Sequence, residues 1–181
     1  MSEEKKLRIV VSSTVYGIEE LLDRIYTLLT QFGYEVWMSH KGTMPVHSGK
    51  SAFDNCLAAV EDCDLFLGLI TPYYGSGGDG SEPNIAHREL AKAIELNKPR
   101  WLLAHDHVVF ARKLLNDLGY RGKTGRGKLK LKKKSTSLSD LRILDAYEEA
   151  IRDEIPLSER SGNWVQKYGT DEEAALFAVA Q

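Results

Sequence analysis

The segment Asp64–Glu89, DLFLGLITPYYGSGGDGSEPNIAHRE, decides the predicted fold of this chain and the place of its functional site. It begins with the run Asp64–Ile70, whose almost wholly apolar composition predicts a strand buried on both faces. A glycine-rich loop follows, and then a predicted helix whose first turns carry His87, Arg88 and Glu89. Because open α/β sheets bind ligands outside the carboxyl ends of their strands, these side chains are predicted to reach a site there.

The rest of the chain repeats the same alternation of strand and helix. Three more apolar runs, Leu7–Val11, Tyr34–Met38 and Arg100–Ala104, are predicted to be strands. Between the first two, apolar residues recur at helical spacing from Ile18 to Phe32, which predicts an amphipathic helix. The alternation predicts an α/β fold with a flavodoxin-like parallel sheet, strand order 2-1-3-4 with room for a fifth strand, and helices on both faces.

The chain divides into three predicted parts. Residues 1–120 form the α/β core, residues 121–138 a basic flexible segment, and residues 139–181 a C-terminal helical extension that packs on the core. The run Arg121–Lys134 holds eight basic residues and no acid, which predicts an exposed and mobile stretch. Nucleic acid is not an expected partner, because the run has no interleaved aromatic residues on which bases would stack.

The residues that follow the fourth strand are predicted to be structural. The segment Asp106–Leu118 is predicted to be a helix. Its buried face is predicted to consist of Val109, Leu114, Leu115 and Leu118. His105, Asp106 and His107 are metal-binding residue types, but adjacent positions of one element point in different directions. A structural or surface role is therefore predicted for these three residues, and no metal site.

Composition and the N-terminal sequence set the expected location. The 181 residues are 43% hydrophobic, an ordinary fraction for a globular domain. No apolar stretch reaches the roughly 18 residues of a membrane span, so none is predicted. The first residues lack the pattern of a secretory leader, and Cys56 and Cys63 lie on one predicted helix. Reduced thiols and a cytoplasmic location are therefore expected.

Three common nucleotide-binding or catalytic motifs are missing from the sequence. There is no GxxxxGK[ST] phosphate-binding loop, and no GxGxxG fingerprint follows the first strand. There is also no GxSxG motif, so the hydroxyl-rich end of the first strand is not predicted to hold a hydrolase nucleophile. These observations argue against P-loop NTPases, ordinary Rossmann enzymes and α/β-hydrolases.

Five short motifs occur in an order and spacing that resemble a bacterial domain family of unknown function. They are RIVVSST in the first strand, GYEV in the second, NCLAAVEDCDLFLGLITPYYGS, REL in the next helix, and GNWVQKY near the end. That family is related to the TIR domains and is often fused to nucleotide-binding or repeat modules in defence and signalling proteins. The resemblance covers about residues 7–180.

The resemblance implies a TIR-like fold and an enzymatic activity. Many bacterial and plant TIR domains cleave NAD at the bond between nicotinamide and ribose. Glu89 matches the position of their catalytic glutamate, and Ser12 and Ser13 match residues that contact the ligand. The loop Gly42–Gly49 matches the loop that TIR domains use for assembly and for access of the substrate.

The implied chemistry needs one carboxylate and neither a metal nor a cofactor, because NAD itself is the substrate. Cleavage of an N-glycosidic bond develops oxocarbenium character on the ribose, and the Glu89 carboxylate would stabilise that charge. Nicotinamide in NAD is already a cationic leaving group, so a strong general acid is not needed. The predicted substrate-binding residues are Ser12, Ser13, Thr14, Tyr73, Tyr74, Gly75, Ser81, His87 and Arg88.

Three functional hypotheses remain open. The first is an enzyme that cleaves or converts NAD in bacterial anti-phage defence or signalling. The second is a nucleoside or nucleotide N-glycosidase, or a deoxyribosyltransferase-like enzyme, which uses a similar fold and a similar glutamate. The third is a non-catalytic TIR-like module that senses or scaffolds. The expected partners are NAD or a related nucleotide, further copies of the chain, and a fused or associated effector module.

Overall fold

The computed structural model describes residues 5–75, 82–160 and 164–180, and within these ranges five parallel strands form one sheet. The strands are β1 (Arg8–Ser12), β2 (Glu35–Trp37), β3 (Leu65–Ile70), β4 (Arg100–His105) and β5 (Val165–Tyr168). Their order is β2-β1-β3-β4-β5, and every neighbouring pair is parallel. The predicted flavodoxin-like layout is therefore confirmed, including the fifth strand.

Helices cover both faces of the sheet. They are α1 (Glu19–Gln31), α2 (Ala52–Asp62), α3 (Ile85–Glu95), α4 (Asp106–Asp117), α5 (Gly122–Arg126), α6 (Arg142–Ala150) and α7 (Asp171–Ala180). Buried residues of α1 and α7 pack on one face, whereas those of α2, α3, α4 and α6 pack on the other. Within the described ranges, no helix is both long enough and apolar enough to cross a bilayer.

The strands form because their apolar side chains are buried in two directions. In β1, Ile9 and Val11 point to the α1 and α7 layer, whereas Val10 points to the opposite layer. Val10 pairs in register with Phe66 of β3, which is 0% exposed. Each fully buried side chain of this size contributes roughly 1.5 to 3 kcal/mol relative to an exposed one. A continuous apolar run is therefore the sequence signal of a central strand.

Side-chain caps fix where the two helices nearest the functional site begin. The Ser51 hydroxyl accepts a hydrogen bond from the backbone amide of Asp54 and caps α2. The Asn84 side chain accepts one from the amide of His87 at 2.8 Å and caps α3. These caps determine which side chains of α2 and α3 face the sheet.

The C-terminal segment contributes to both the sheet and a helix layer. β5 pairs with β4, with His105 opposite Tyr168, and α7 packs against α1. Much of residues 139–181, which the sequence analysis assigned to an extension, is thus built into the α/β core.

The basic run differs from the predicted exposed stretch at one residue. Gly122–Arg126 is helical, and the Arg126 guanidinium is 2% exposed. It lies 2.6 Å from Asp145 and 2.6 Å from Glu148 of α6. Arg126 therefore anchors the run to the core, whereas the lysines of the run are exposed, as predicted.

The predicted buried face of α4 is wrong at two positions. Leu114 and Leu118 are 45% and 62% exposed. Val108 is the buried residue of the helix, and Ala111 and Leu115 pack beside it. The helix therefore packs along its 108, 111 and 115 positions, because α4 contacts α6 on that side.

Candidate functional site

Glu89 is a buried carboxyl group to which the described residues offer no cationic partner. The residue lies in α3 and is 6% exposed. Its Oε2 accepts a hydrogen bond from Oγ of Ser12 at 2.5 Å, and the thiol of Cys56 in α2 donates to the same carboxyl group. Both donors are neutral, so the burial of this acid is not offset by an opposite charge.

The fold brings Ser12 and Glu89 together because β1 ends beside the first turns of α3. Ser12 is the last residue of β1 and pairs in register with Gly68 of β3. It follows Val10 on the sheet face that α2 and α3 cover, since side chains alternate along a strand. Glu89 is the fifth residue of α3, so it lies close to the end of the sheet where ligands bind.

Burial changes the acidity of both groups around this contact. Loss of solvent raises the pKa of Glu89 to about 7, although the hydrogen bonds from Ser12 and Cys56 act in the opposite direction. Burial, together with the nearby Glu89 carboxyl group, raises the pKa of the Cys56 thiol to about 11. The thiol therefore stays protonated as a donor, and Glu89 exchanges its proton near neutral pH. An acid tuned in this way beside a cleft is a candidate catalytic group.

A cleft with about 420 Å³ of empty space, part of it open to solvent, borders the Ser12–Glu89 pair. Its polar wall is formed by Ser12, Thr14, Thr71, Tyr73, Tyr74, Asn84 and His87, and its apolar wall by Gly68, Leu90, Leu102, Ile143 and Ala146. Glu89 itself does not line this space, but its hydrogen-bond partner Ser12 does.

Gly68 keeps the floor of the cleft open. A Cβ atom at this position would lie 2.7 Å from Cδ2 of Leu102 on β4. Such a contact is closer than packed carbon atoms allow, so any side chain here would displace Leu102. The missing side chain leaves space beside Ser12, which is directly across the β1–β3 pair.

Two threonines fix the loop after β3 against the end of β1. The Thr14 hydroxyl lies 2.8 Å from the Thr71 hydroxyl, and it donates to the Tyr73 carbonyl at 2.8 Å. Gly75 has φ of +75°, and a Cβ atom there would lie 2.9 Å from Cγ2 of Thr14. A glycine is thus required for both its backbone conformation and its close approach to Thr14. Thr71 was not among the predicted site residues.

Tyr74 and His87 lie in the cleft wall and are held there by hydrogen bonds. The Tyr74 hydroxyl lies 3.2 Å from Nδ1 of His87, and Nε2 of His87 lies 3.1 Å from Oε2 of Glu149. Asn84 bonds to Tyr74 as well, through its backbone amide and its side chain. Tyr74 is 5% exposed, so its ring presents little surface on which a base could stack.

Tyr73 is the more accessible of the two predicted tyrosines. It is half-buried in the cleft wall, and its ring meets the exposed ring of Tyr16 edge-to-face with centroids 6.0 Å apart. A Cβ atom at Gly17 would lie 3.0 Å from the Tyr73 ring, so the chain after β1 packs closely beneath it. The Tyr16–Tyr73 pair forms an aromatic rim at the same end of the sheet as Ser12.

Three other predicted site residues lie away from the cleft or outside the described ranges. The Ser13 hydroxyl donates to the carbonyl of Thr14 at 2.9 Å. Arg88 lies over the Phe53 ring at 5.9 Å and 3.8 Å from a carboxylate oxygen of Glu82. Ser81 lies outside the described residues.

The loop after β2 does not line the cleft, although the TIR resemblance implies that the loop controls access of the substrate. Met44 of this loop packs against the buried cluster under α2 and α3, and the His47 amide donates to Oδ1 of Asn55 in α2. Ile143 and Ala146 of α6 supply a wall instead. No local sequence signal indicates that wall, because α6 begins 47 positions after the end of α3 along the chain.

Groups that could hold a metal ion lie at a different place in the fold. Among the described residues, His105, Asp106 and His107 bring their ligand atoms within 4.8 Å of one another at the end of β4. Around Glu89, the described neighbours are a hydroxyl and a thiol, which do not form such a set. The carboxyl group of Glu89 is therefore the candidate reactive group of this site.

The comparisons with known proteins identify a family and find solved structures that are similar to this chain. A family model described as "Domain of unknown function (DUF4062)" matches residues 8–158. No curated protein matches the sequence. A solved structure of the CMP N-glycosidase BcmB from Clostridium botulinum is similar at 16% identity and a TM-score of 0.45, covering 94% of this chain and 96% of that chain.

Proposed function

This chain belongs to the DUF4062 family of domains of unknown function, and we propose that it cleaves the N-glycosidic bond of a nucleotide with Glu89 as the catalytic carboxyl group. One observation carries the proposal: Glu89 is buried without a cation, held by Ser12, beside a cleft at the ligand-binding end of the sheet. The proposal does not rest on the CMP N-glycosidase, because a likeness that weak cannot transfer an activity.

The buried carboxyl group suits a reaction that passes through a cationic sugar. Breaking the bond between base and ribose leaves positive charge on the anomeric carbon and the ring oxygen. A carboxylate in a site of low polarity stabilises that charge more strongly than one in water. The hydroxyl of Ser12, 2.5 Å from Oε2, holds the carboxyl group in one orientation before the substrate binds.

The pKa of Glu89 makes the choice of substrate testable through the pH dependence of cleavage. With NAD, nicotinamide leaves as a neutral molecule and the ionised carboxylate is the useful form, so cleavage should increase as pH rises through about 7. With a nucleoside monophosphate, the departing base needs a proton, and the protonated acid is the useful form. Cleavage should then decrease as pH rises through the same value.

NAD and nucleoside monophosphates both have an N-glycosidic bond between a ribose and a flat ring. The two walls of the cleft suit these two parts. The apolar side formed by Gly68, Leu90 and Leu102 can receive a flat base or nicotinamide ring. The opposite side offers hydroxyl groups to a ribose. NAD is the substrate that the TIR resemblance implies, and a role in bacterial defence or signalling would accompany it.

The test is a comparison of two substitutions in the same helix. The purified chain and its Glu89→Gln and Glu95→Gln variants are incubated with a panel of nucleoside 5′-monophosphates and with NAD, and the products are separated by chromatography. Glu95 is exposed on α3, so Glu95→Gln is the matched control. We expect release of base or nicotinamide by the wild type and by Glu95→Gln, but not by Glu89→Gln.

Three other results would change the assignment. Equal cleavage by the wild type and Glu89→Gln would remove Glu89 from the chemistry. Transfer of the sugar to an added free base, in place of hydrolysis, would make the protein a transferase of the deoxyribosyltransferase kind. If Glu89→Gln retains full biological activity in cells, the non-catalytic scaffold hypothesis is favoured.

A further inference from the structure

The residues His105–His107 lie where the chain changes from strand to helix, and this corner brings their side chains together. His105 is the last residue of β4, and Asp106 is the first residue of α4. The ring centroids of His105 and His107 are 4.6 Å apart, and the ligand atoms of all three residues lie within 4.8 Å of one another. The expectation that adjacent residues point apart is wrong here, because it assumes that all three belong to one regular element.

A ring nitrogen and a carboxylate oxygen lie close together at this corner. Nδ1 of His105 accepts the backbone amide proton of His107 at 3.1 Å and caps α4. The same nitrogen lies 3.0 Å from Oδ1 of Asp106, a buried atom with no hydrogen-bond partner among the described residues. Nδ1 is thus occupied, and Nε2 is the nitrogen of His105 that remains for a metal ion. Ligand atoms bound to one ion at about 2.1 Å lie roughly 3.0 to 3.4 Å apart, so the side chains must rotate from their present spread of up to 4.8 Å to share one ion.

Tyr168 adds an independent observation that a ligand is missing from this corner. It lies directly across the β4–β5 pair from His105, with ring centroids 5.3 Å apart, and is 1% exposed. Its hydroxyl has no hydrogen-bond partner within the described ranges. Buried hydroxyls are rarely left without a partner, and a metal-bound water would supply one.

Space next to the Asp106 carboxylate is also kept free. A Cβ atom at Gly169, the residue after β5, would lie 3.3 Å from Oδ2 of Asp106. A larger residue would therefore press against the carboxylate at this point. The ends of β4 and β5 thus form a corner with two imidazoles, one carboxylate and one unsatisfied hydroxyl.

We propose that His105, Asp106 and His107 bind a divalent transition-metal ion of the Zn²⁺ type, with the Tyr168 hydroxyl beside it. Two imidazole nitrogens and one carboxylate oxygen are the ligands that Zn²⁺ and its first-row neighbours prefer, whereas Mg²⁺ and Ca²⁺ prefer sites made of oxygen. Three protein ligands leave a position for water. The site is separate from Glu89, and neither proposal depends on the other.

A rival arrangement has the same residues without a metal. A protonated His105 would donate its Nδ1 proton to Asp106 and form an ion pair, and no metal would then bind. The two arrangements differ in what happens when His107 is removed. His107 is exposed, and its side chain contacts His105, so it is needed for the metal but not for the ion pair.

The experiment titrates Zn²⁺ into the full chain by calorimetry and records the visible absorption of the Co²⁺ form. We expect one ion per chain and a Co²⁺ spectrum of low coordination number. His107→Ala should weaken binding by at least about tenfold, the scale usual for loss of groups around a metal. His47→Ala, which removes an exposed histidine from the loop after β2, is the matched control and should bind as the wild type does.

The outcomes separate the two arrangements without ambiguity. Absence of saturable binding, or equal binding by the wild type and His107→Ala, would overturn the metal site. Asp106→Asn keeps the size of the side chain and should also weaken binding, because it removes the anionic ligand. Circular dichroism of each variant without metal confirms that any loss of binding is not a loss of fold.

Discussion

Glu89 and Arg126 are both buried ionisable side chains, but their hydrogen-bond partners differ in charge. The Arg126 guanidinium donates to Glu148 and Asp145 through three contacts of 2.6 to 2.9 Å. Glu89 has a hydroxyl and a thiol as its donors. Burial alone would lower the pKa of Arg126, but its two acid partners outweigh burial and raise it. Burial prevails at Glu89 and raises its pKa to about 7.

The contrast shows that a buried charged group can have a structural role at one position and a catalytic role at another. A paired ion joins two segments, and here it joins the short helix α5 to α6. An acid that is buried without a pair destabilises the fold when it is ionised, and such groups are found most often at functional sites. The following predictions test this difference, from the largest expected effect to the smallest.

Removal of the unpaired acid should abolish activity. Glu89→Gln should lower the rate of N-glycosidic cleavage by about a thousandfold or more, because the amide carries no charge to oppose the oxocarbenium ion. Initial rates with the best nucleotide of the panel measure the effect, with Glu95→Gln as the control. A loss smaller than about tenfold would show that Glu89 is not the main catalytic group.

Removal of the paired cation should affect stability instead. Arg126→Met leaves Asp145 and Glu148 without their buried partner and should lower the free energy of unfolding by about 3 kcal/mol. Activity per folded molecule should not change. Urea denaturation measures the effect, and Arg121→Met, at an exposed position of the same run, should cost less than about 0.5 kcal/mol. Equal losses for the two variants would mean that Arg126 is not a structural anchor.

The raised pKa of Glu89 should make the fold less stable as pH rises. Below its unfolded-state value of 4.5 the acid is protonated in both states, and between 4.5 and about 7 it is protonated in the folded state alone. Stability from this group is therefore lost across that window, by up to about 3 kcal/mol. Unfolding measured at pH 4.5 and pH 8 should show this loss in the wild type but not in Glu89→Gln. Parallel pH profiles of the two proteins would contradict the raised pKa.

Removal of the Ser12 hydroxyl should raise the pKa of Glu89. The hydrogen bond from Ser12 lowers the pKa of Glu89, so Ser12→Ala should raise it further. The pH midpoint of cleavage should shift upward, and the rate at neutral pH should change by about tenfold. Ser13→Ala removes a hydroxyl that donates to the Thr14 carbonyl and should leave the midpoint in place. The two pH–rate profiles decide the prediction.

A partly exposed ion pair should show the smallest effect. Arg8 holds the pKa of Asp64 at about 2, below its ordinary value of 3.8, and the side chains are 27% and 28% exposed. Its contribution is complete above pH 3.8 and is lost as pH falls toward 2. Asp64→Asn should cost less than about 1 kcal/mol at pH 7, because water screens the pair. If Asp64→Asn lowered the free energy of unfolding as much as Arg126→Met, burial would not explain the difference between the two ion pairs.

The sequence was sufficient to predict the sheet but not the partners of its side chains. The run Asp64–Ile70 is apolar at nearly every position, and this local property predicted a central strand correctly. The outward position of Leu114 could not be predicted in the same way, because it depends on where α6 packs. Arg126 was assigned to a solvated run for the same reason, since its two acid partners lie about twenty residues further along the chain.

For the candidate site, the sequence predicts a place in the fold and does not predict the contacts between its residues. The end of β3 and the start of α3 were identified from a strand, a glycine-rich loop and the polar residues that follow. The hydrogen bond between Ser12 and Glu89 joins residues 77 positions apart, and no local pattern records such a pair. Asn84 could have been recognised as a helix cap, because asparagine is favoured immediately before a helix.

The lengths of the strands also affect how copies of the protein associate. The two strands at the edges, β2 and β5, have three and four residues, whereas β1, β3 and β4 have five or six. Short edges expose few unpaired backbone groups, which protects a sheet from joining edge to edge and aggregating. Self-association of this domain would therefore use side chains on its helices and loops, where it can be adjusted by single substitutions without disturbing the sheet.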